Sequence, residues 1–265
     1  MEVTRLYEIV TEWCNFLIDL GATNVENFTQ LMFKLQARYK HIFDSLSKAE
    51  QEKIMLAYKI KEMTEDEFLR YNEEVYVPLH PDWFRDMLVP DQEFIAKELL
   101  SLLCTREKVH GVIDIGSGPG TLDIFLASKG IIDGPIVCLD PLATSLQQGR
   151  DLAKRMAVDV EFQEGRITAD ALPFESESFE LAIAIDSLHW TTHWKNGIKE
   201  MARLLKKDGV FYLFYSEHSP RIMIPINEAQ NLIYSCGLRK IQTSRLRLQD
   251  TPSGSPRILI TAIKN

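Results

Sequence analysis

The chain has 265 residues, of which 45% are hydrophobic and 26% are charged, and its formal net charge is −8. This composition is ordinary for a globular protein. Because the excess charge is negative, it argues against a polyanion such as a nucleic acid as the main partner. No apolar run reaches the roughly 18 residues that a membrane-spanning helix needs.

The N-terminal residues and the cysteines favour a cytoplasmic location. Residues 1–5 lack the basic-then-apolar order of a signal peptide. The four cysteines are far apart and lack the paired spacing of a metal or redox site: Cys14, Cys104, Cys138 and Cys236. We therefore expect a cytoplasmic protein without a metal centre.

The first ninety residues have the sequence pattern of helices. Apolar residues recur at spacings of three and four until Gly21, which predicts a first helix that ends there. Further helices are predicted over 25–46, from Ser47, and from Thr64, where Glu67 completes a capping box. Another helix is expected from Asp91 to about Arg106.

Two domains are predicted from the change in pattern and charge. Residues 1–90 carry 16 acidic and 10 basic side chains, whereas residues 91–265 carry 22 and 20. After residue 109, strand and helix patterns alternate, as in parallel βαβ units. The predicted strands of this kind are Val112–Ile115, Ile136–Leu139, Val158–Gln163, Leu181–Ile185 and Val210–Tyr215.

The C-terminal part predicts a different connection. A helix from about Asn227 to Cys236 should stop at Gly237. Two strands follow, Leu238–Leu248 and Arg257–Ile263, joined by a short segment rich in Pro, Ser and Gly. So short a connection implies an antiparallel hairpin.

The run from Val112 to Gly120 predicts a ligand site at a strand-to-helix turn. Glycines there let the backbone approach a ligand and direct helix N-terminal amides at it. A dinucleotide fingerprint has glycine at its first, third and sixth positions, whereas here Gly116, Gly118 and Gly120 take the first, third and fifth. With Asp114 two residues earlier, this spacing resembles the first motif of class I S-adenosylmethionine (SAM)-dependent methyltransferases.

Two carboxylates downstream extend this resemblance. Asp140, followed by Pro141, ends the second predicted strand, where a carboxylate can accept hydrogen bonds from both ribose hydroxyls of an adenosine. A helix N-cap is the alternative role for this aspartate. The segment with Asp170 and Ala171 resembles the methyltransferase segment that binds adenine, through an aspartate and the next backbone amide.

A polar cluster ends the fourth predicted strand, at the sheet edge where ligands of open α/β sheets bind. Asp186, Ser187, His189 and Trp190 lie in a segment that resembles small-molecule methyltransferases of the malonyl-carrier-protein, trans-aconitate and ubiquinone/menaquinone type. The resemblance implies that this cluster borders the methionine end of SAM and the acceptor. His189 is the candidate base, with packing without proton transfer as the equal alternative.

Taken together, these features predict an α/β protein with the Rossmann-like class I methyltransferase fold. We expect a seven-stranded, mostly parallel sheet with a C-terminal antiparallel hairpin over 91–265. The helices of 1–90 should form a lid that shapes a pocket for a small-molecule acceptor. Five residues are candidates for its aromatic walls, although packing of the helices on the sheet is the stronger alternative for each: Tyr71, Tyr76, His80, Trp83 and Phe84.

Other functions stay open at this level. A catalytically silent methyltransferase-like interaction module has the same motifs, and an NAD-dependent oxidoreductase shares the general geometry. An enzyme that methylates protein or RNA is a further alternative, although the acidic charge argues against RNA. The methylated atom and the oligomeric state are not determined, because fold does not fix function.

Overall fold

The computed structural model describes residues 3–22, 47–48, 60–77, 89–103, 109–217, 219, 221–246 and 256–265. The chain divides into two compact units near residue 105. The predicted helix over 25–46, most of the one from Ser47, and the aromatic candidates His80, Trp83 and Phe84 lie outside the described residues.

The first unit contains three described helices: α1 (Val3–Asp19), α2 (Glu65–Tyr71) and α3 (Val89–Leu103). Helix α1 is amphipathic, and its buried face includes Trp13, whose indole N–H donates to the Gln92 carbonyl of α3 over 3.2 Å. It ends just before Gly21, which has a φ of 95°. The predicted first helix is therefore confirmed.

Helix α2 begins at the predicted capping box. The Thr64 hydroxyl accepts from the Glu67 amide at 3.3 Å, and the Glu67 carboxylate accepts from the Thr64 amide at 2.9 Å. These two bonds satisfy amides that have no partner within the helix. A single π-helical turn, Asn72–Tyr76, continues α2.

The structure assigns helix α3 differently from the sequence. We predicted that the second domain begins at residue 91, but α3 packs on α1 and belongs to the first unit. Its apolar residues recur at helical spacing and form one face. Such a face can pack on another helix as well as on a sheet. The role of the first unit as a lid stays a prediction.

The second unit is built around a seven-stranded sheet with the order β3-β2-β1-β4-β5-β7-β6. Its strands are β1 (Val112–Ile115), β2 (Ile136–Asp140), β3 (Glu161–Glu164), β4 (Phe179–Ile185), β5 (Leu205–Ser216), β6 (Leu238–Leu246) and β7 (Arg257–Lys264). Its helices are α4 (Thr121–Ser128), α5 (Ala143–Met156), α6 (Trp194–Leu204) and α7 (Ile226–Ser235).

The first five strands pair in parallel, and β7 runs antiparallel to both β5 and β6. Strands β1 and β2 are buried along their whole length, which explains their continuous apolar runs. The predicted fold class is confirmed, including the C-terminal antiparallel strands. Within the described residues, no helix is long and apolar enough to cross a membrane.

Strand β5 begins earlier than predicted. It pairs with β4 from Leu205, and the register then shifts before Val210, where Asp208 adopts a φ of 60°. A Cβ at Gly209 would lie 2.8 Å from the Lys206 carbonyl, so glycine is required there. The irregularity before Val210 is thus a bulge within the strand.

Strand β6 forms one edge of the sheet and is largely exposed. The register shifts between Arg239 and Gln242, where Lys240 has a φ of 52°. A bulge and basic side chains at an edge strand deter pairing with another chain. The basic residues of β6, Arg239, Lys240 and Arg245, therefore fit a solvated edge.

We expect Gly149→Ala to destabilise the second unit. This α5 residue is buried, and a Cβ there would lie 2.5 Å from the Pro119 carbonyl and also overlap the Phe162 ring. Because the backbone must move, we expect a loss of about 1–3 kcal/mol in the free energy of unfolding, measured by urea denaturation. The exposed Gln147→Ala, on the same helix, should change it by less than about 0.5 kcal/mol; equal losses would contradict the close packing.

Candidate functional site

The turn between β1 and α4 is built from glycines with left-handed backbone. Gly116, Gly118 and Gly120 have φ values of 74°, 56° and 60°, which side chains tolerate poorly. A Cβ at Gly116 would overlap the Ser187 side chain, and one at Gly120 would lie 2.5 Å from Cys138 Sγ. A Cβ at Gly118 would meet nothing within 4 Å. Packing therefore requires the outer two glycines, and the middle one presents its backbone to open space.

The carboxylate of Asp140 holds this turn. The Gly118 amide donates to Asp140 Oδ2 at 2.8 Å, and the Leu142 amide donates to Oδ1 at 2.9 Å. Helix α5 starts one residue later, with Leu142 as its N-cap. The alternative role of Asp140 as an N-cap is therefore not what the structure has, and Pro141 lies half-buried between the two elements.

Two more carboxyl groups lie buried close to each other. Asp114 on β1 and Asp123 in the first turn of α4 are 5% and 1% exposed. Among the described residues, neither oxygen of Asp123 nor Oδ1 of Asp114 meets a donor. Asp123 was not predicted from the sequence, although a carboxylate within the apolar run from Leu122 to Leu126 was a signal.

We infer that the two carboxyl groups share one proton, because both are buried and the pKa of each is raised. Burial raises the pKa of Asp114 well above its usual range, and the neighbouring charges of Asp123 and Asp140 raise it further. Burial also raises the pKa of Asp123, to about 6. A proton between them supplies the donor that both otherwise lack.

The segment after β3 carries the predicted adenine-binding residues. Asp170 and Ala171 are exposed, and the Asp170 amide donates to the Thr168 hydroxyl at 3.1 Å. The next amide along, that of Leu172, donates to Glu200 Oε2 at 2.7 Å. Within the described part of the chain, the Ala171 amide between them has no hydrogen-bond partner.

At the end of β4, backbone strain and an ion pair define the site. Asp186 has a φ of 49°, which is costly for a residue other than glycine. Its amide donates to the Phe214 carbonyl at 2.8 Å, and its carboxylate accepts from Arg257 Nη1 at 2.5 Å. The Ser187 hydroxyl donates to the Ile115 carbonyl at 2.6 Å. This bond joins the carboxyl ends of β4 and β1.

His189 and Trp190 lie in a 3₁₀ turn, Leu188–Trp190, whose carbonyls are held from across the sheet edge. The His189 carbonyl accepts from the Ser219 hydroxyl at 3.1 Å, and the Trp190 carbonyl accepts from Arg221 Nε at 2.7 Å. The two rings are 5.0 Å apart. The turn is thus rigidly held.

The imidazole of His189 is neutral at physiological pH. It is 2% exposed, and its Nδ1 has no partner among the described residues. Burial and, to a smaller extent, the nearby positive charge of Arg257 together lower the pKa of His189 to about 3. A group with so low a pKa accepts a proton poorly, which favours packing over general-base action.

Sequence reasoning missed Arg257, the residue that pairs with Asp186. Its side chain is 17% exposed, and its guanidinium carbon lies 6.0 Å from the centre of the Phe214 ring. Burial raises the pKa of Asp186, and the positive charge of Arg257 partly offsets that. The strand pairing between β5 and β7 creates this contact, so no local motif signals it.

Three further titratable residues follow β4 and β5 along the chain: His193, Glu217 and His218. Glu217 forms an ion pair with Arg245 at 2.7 Å. His193 is the N-cap residue of α6, while His218 and Arg247 lie outside the described residues. Within the described ranges, no group of three or more His, Cys, Asp or Glu side chains is arranged to hold a metal.

Comparisons with known proteins agree with this geometry. Residues 112–209 match the family described as "Methyltransferase domain". An uncharacterized methyltransferase of Bacillus subtilis, YcgJ, is 29% identical over 155 residues, which are 56% of this chain and 58% of that protein. The ubiquinone/menaquinone biosynthesis C-methyltransferase UbiE of Stenotrophomonas maltophilia is 31% identical over 98 residues, 37% of this chain and 39% of that protein.

A solved structure supports the fold across more of the chain. A Haemonchus contortus N-methyltransferase in complex with phosphomonomethylethanolamine and S-adenosylhomocysteine aligns with a TM-score of 0.59 and 13% identity, covering 76% of this chain and 60% of that one. The chain is therefore similar to methyltransferases over residues 112–209, the part that contains the glycine motif, Asp140 and the segment after β4. This chain spans less than two thirds of the two curated relatives named above.

We expect Asp123→Asn to stabilise the protein at alkaline pH. Because the folded-state pKa of Asp123 is raised to about 6, the wild type loses stability as the pH rises from about 4 through 6. Asparagine stays neutral and can donate to Asp114. We expect a gain of about 1–3 kcal/mol at pH 8 and little change at pH 4, measured by urea denaturation.

The exposed Asp159→Asn serves as the matched control for this prediction. It should leave the dependence of stability on pH unchanged. A variant Asp123→Asn that follows the wild-type curve at every pH would contradict the proton-sharing pair.

Proposed function

We propose that this protein is a SAM-dependent methyltransferase that acts on a small-molecule acceptor. One observation carries the proposal: the Gly118 amide and Asp140 are joined by a hydrogen bond of 2.8 Å. This bond holds the carboxylate that we assign to the ribose next to the glycine-built turn. The match to the methyltransferase domain covers both elements.

The residues at the sheet edge fit the groups of SAM. Gly118 leaves open space above its backbone, and in our proposal the carboxylate oxygens of Asp140, each of which already accepts one backbone amide, also accept from the ribose hydroxyls. The exposed Asp170 and the Ala171 amide suit the adenine, as an acceptor and a donor side by side. Asp114 Oδ1 lacks a donor among the described residues, so it suits an N–H or O–H group of the cofactor.

Four other residues shape the turn around these contacts: Gly116, Gly120, Pro141 and Ser187. Ser187 fills the space that a side chain at position 116 would need, and its hydroxyl joins β4 to β1. Pro141 keeps the chain extended between Asp140 and α5. We assign these residues to the cofactor site as walls and braces rather than as donors or acceptors.

The reaction depends mainly on proximity and alignment. SAM supplies a methyl group on a sulfonium, which is transferred by in-line displacement. Holding two reactants in line contributes on the order of 7–11 kcal/mol. In our proposal Asp186, fixed by Arg257, and Trp190, fixed by Arg221, border the reacting groups. His189 then keeps the Trp190 ring in place.

Two observations favour a small-molecule acceptor. One relative, UbiE, is named as a ubiquinone/menaquinone biosynthesis C-methyltransferase. The net charge of −8 opposes nucleic acid as substrate. We further propose that the first unit acts as the lid over the acceptor, as its helical pattern in residues 1–90 predicts.

The proposal is tested first by calorimetric titration with SAM, S-adenosylhomocysteine and NADH. We expect micromolar binding of the first two and none of NADH. Binding of NADH alone would favour an oxidoreductase, and binding of none would favour the silent interaction module. Either outcome overturns the proposal.

We expect Asp140→Ala to weaken S-adenosylhomocysteine binding in the same assay by about 10- to 100-fold. The physical reason is the loss of a charged acceptor for the ribose, which is worth about 1.5–3 kcal/mol. The exposed Asp159→Ala is the control and should bind as the wild type does. Unchanged affinity in Asp140→Ala would remove the ribose assignment.

We expect His189→Ala to lower turnover less than tenfold, measured as release of S-adenosylhomocysteine with an acceptor found by screening. Because the pKa of His189 is about 3, its protonation should give no inflection in turnover between pH 5 and 8. The control is His110→Ala, an exposed histidine that precedes β1 at the opposite edge of the sheet. A loss of 100-fold or more, or an inflection near pH 6.5 that disappears in the variant, would restore the general-base role.

A further inference from the structure

Helix α6 binds the backbone of the predicted adenine-binding segment through one ion pair. Glu200 Oε2 accepts from the Leu172 amide at 2.7 Å, and Arg203 Nη2 donates to the Leu172 carbonyl at 3.1 Å. Arg203 Nη1 also donates to the Phe174 carbonyl at 2.8 Å. Both backbone polar groups of Leu172 are thus bonded to this pair.

The ion pair has the geometry of a strong, oriented interaction. Arg203 donates from Nε to Glu200 Oε1 at 2.8 Å and from Nη2 to Oε2 at 2.7 Å. Such two-point contacts fix the orientation of both side chains. Glu200 is only 8% exposed, so its carboxylate depends on these partners.

The same helix also holds the two ends of the segment. Asn196 Nδ2 donates to the carbonyls of Thr168 and Ala169 at 2.7 and 2.9 Å. At the other end, the Glu177 amide donates to the Arg203 carbonyl at 3.0 Å. Between these anchors, Asp170 and Ala171 are exposed. The free part of the segment is therefore the part assigned to adenine.

We propose that Glu200 and Arg203 are positioning residues that set the affinity of the protein for the adenine of its cofactor. This inference rests on the proposed function, since it assigns a cause to one part of that site. Ordering a loop residue on binding costs about 1–2 kcal/mol of backbone entropy. A segment that is already held by α6 avoids this cost, which is the advantage of preorganisation.

The proposal predicts a defect that depends on the adenine. Glu200→Ala removes the acceptor of the Leu172 amide and leaves Arg203 without its partner. We expect S-adenosylhomocysteine to bind roughly tenfold more weakly, by calorimetry at a temperature where the variant is folded. S-ribosylhomocysteine, which lacks adenine, should bind as it does to the wild type. Hydrogen exchange in the free protein should accelerate for amides of residues 170–174.

A milder variant keeps the test decisive if Glu200→Ala does not fold. Glu200→Gln preserves the shape and one acceptor, and should weaken S-adenosylhomocysteine binding about threefold with the same adenine dependence. The matched control is Glu228→Gln. This substitution removes the ion pair that Glu228 of α7 forms with Lys195 of α6, and it leaves residues 168–178 unchanged. Its affinities should equal those of the wild type.

Three other outcomes would contradict the positioning role or the proposed function. If the wild type binds S-adenosylhomocysteine and both Glu200 variants bind it equally well, the positioning role is wrong and the proposed function stands. Equal weakening of both ligands would assign Glu200 a general structural role and also overturn the inference. If the wild type binds no S-adenosylhomocysteine, the proposed function itself fails.

Discussion

The arrangement of the site depends on the hydrogen bond from the Gly118 amide to Asp140, because this bond joins the glycine turn to the end of β2. It forms only because Gly118 adopts a φ of 56°, which directs its amide at the carboxylate. The Ser187 side chain packs against the turn at Gly116, and the Cys138 side chain packs against it at Gly120. At both positions there is room because glycine has no side chain. The positions of β1, β2 and β4 are thereby fixed relative to the turn.

The same region concentrates features that reduce stability. Asp114 and Asp123 are buried together without an adequate donor, and Asp186 is held in a left-handed backbone conformation. Each feature has a cost, which the large apolar sheet offsets. Such costs are typical of places where a ligand completes the missing interactions. The edge of the sheet assigned to cofactor and acceptor therefore combines rigid backbone with incompletely satisfied polar groups.

How the site is held differs between its two halves. The side that we assign to the ribose is fixed by contacts within the first βαβ unit, whereas the segment that we assign to the adenine is fixed from a distant helix through Glu200 and Arg203. At the acceptor side, Arg257 of the last strand fixes Asp186. Substitutions far along the chain should therefore alter binding without changing any residue that touches a ligand.

The sequence by itself determined the strands, their parallel and antiparallel order, and the cofactor candidates. Those features depend on local patterns: apolar runs, the glycine spacing, and Asp140 at a strand end. The tertiary structure alone decided that α3 packs with α1, that Asp123 lies beside Asp114, and that Arg257 pairs with Asp186. It also lowered the pKa of His189, the predicted base. These properties arise from burial and from contacts between residues far apart in the chain, which no local spacing encodes.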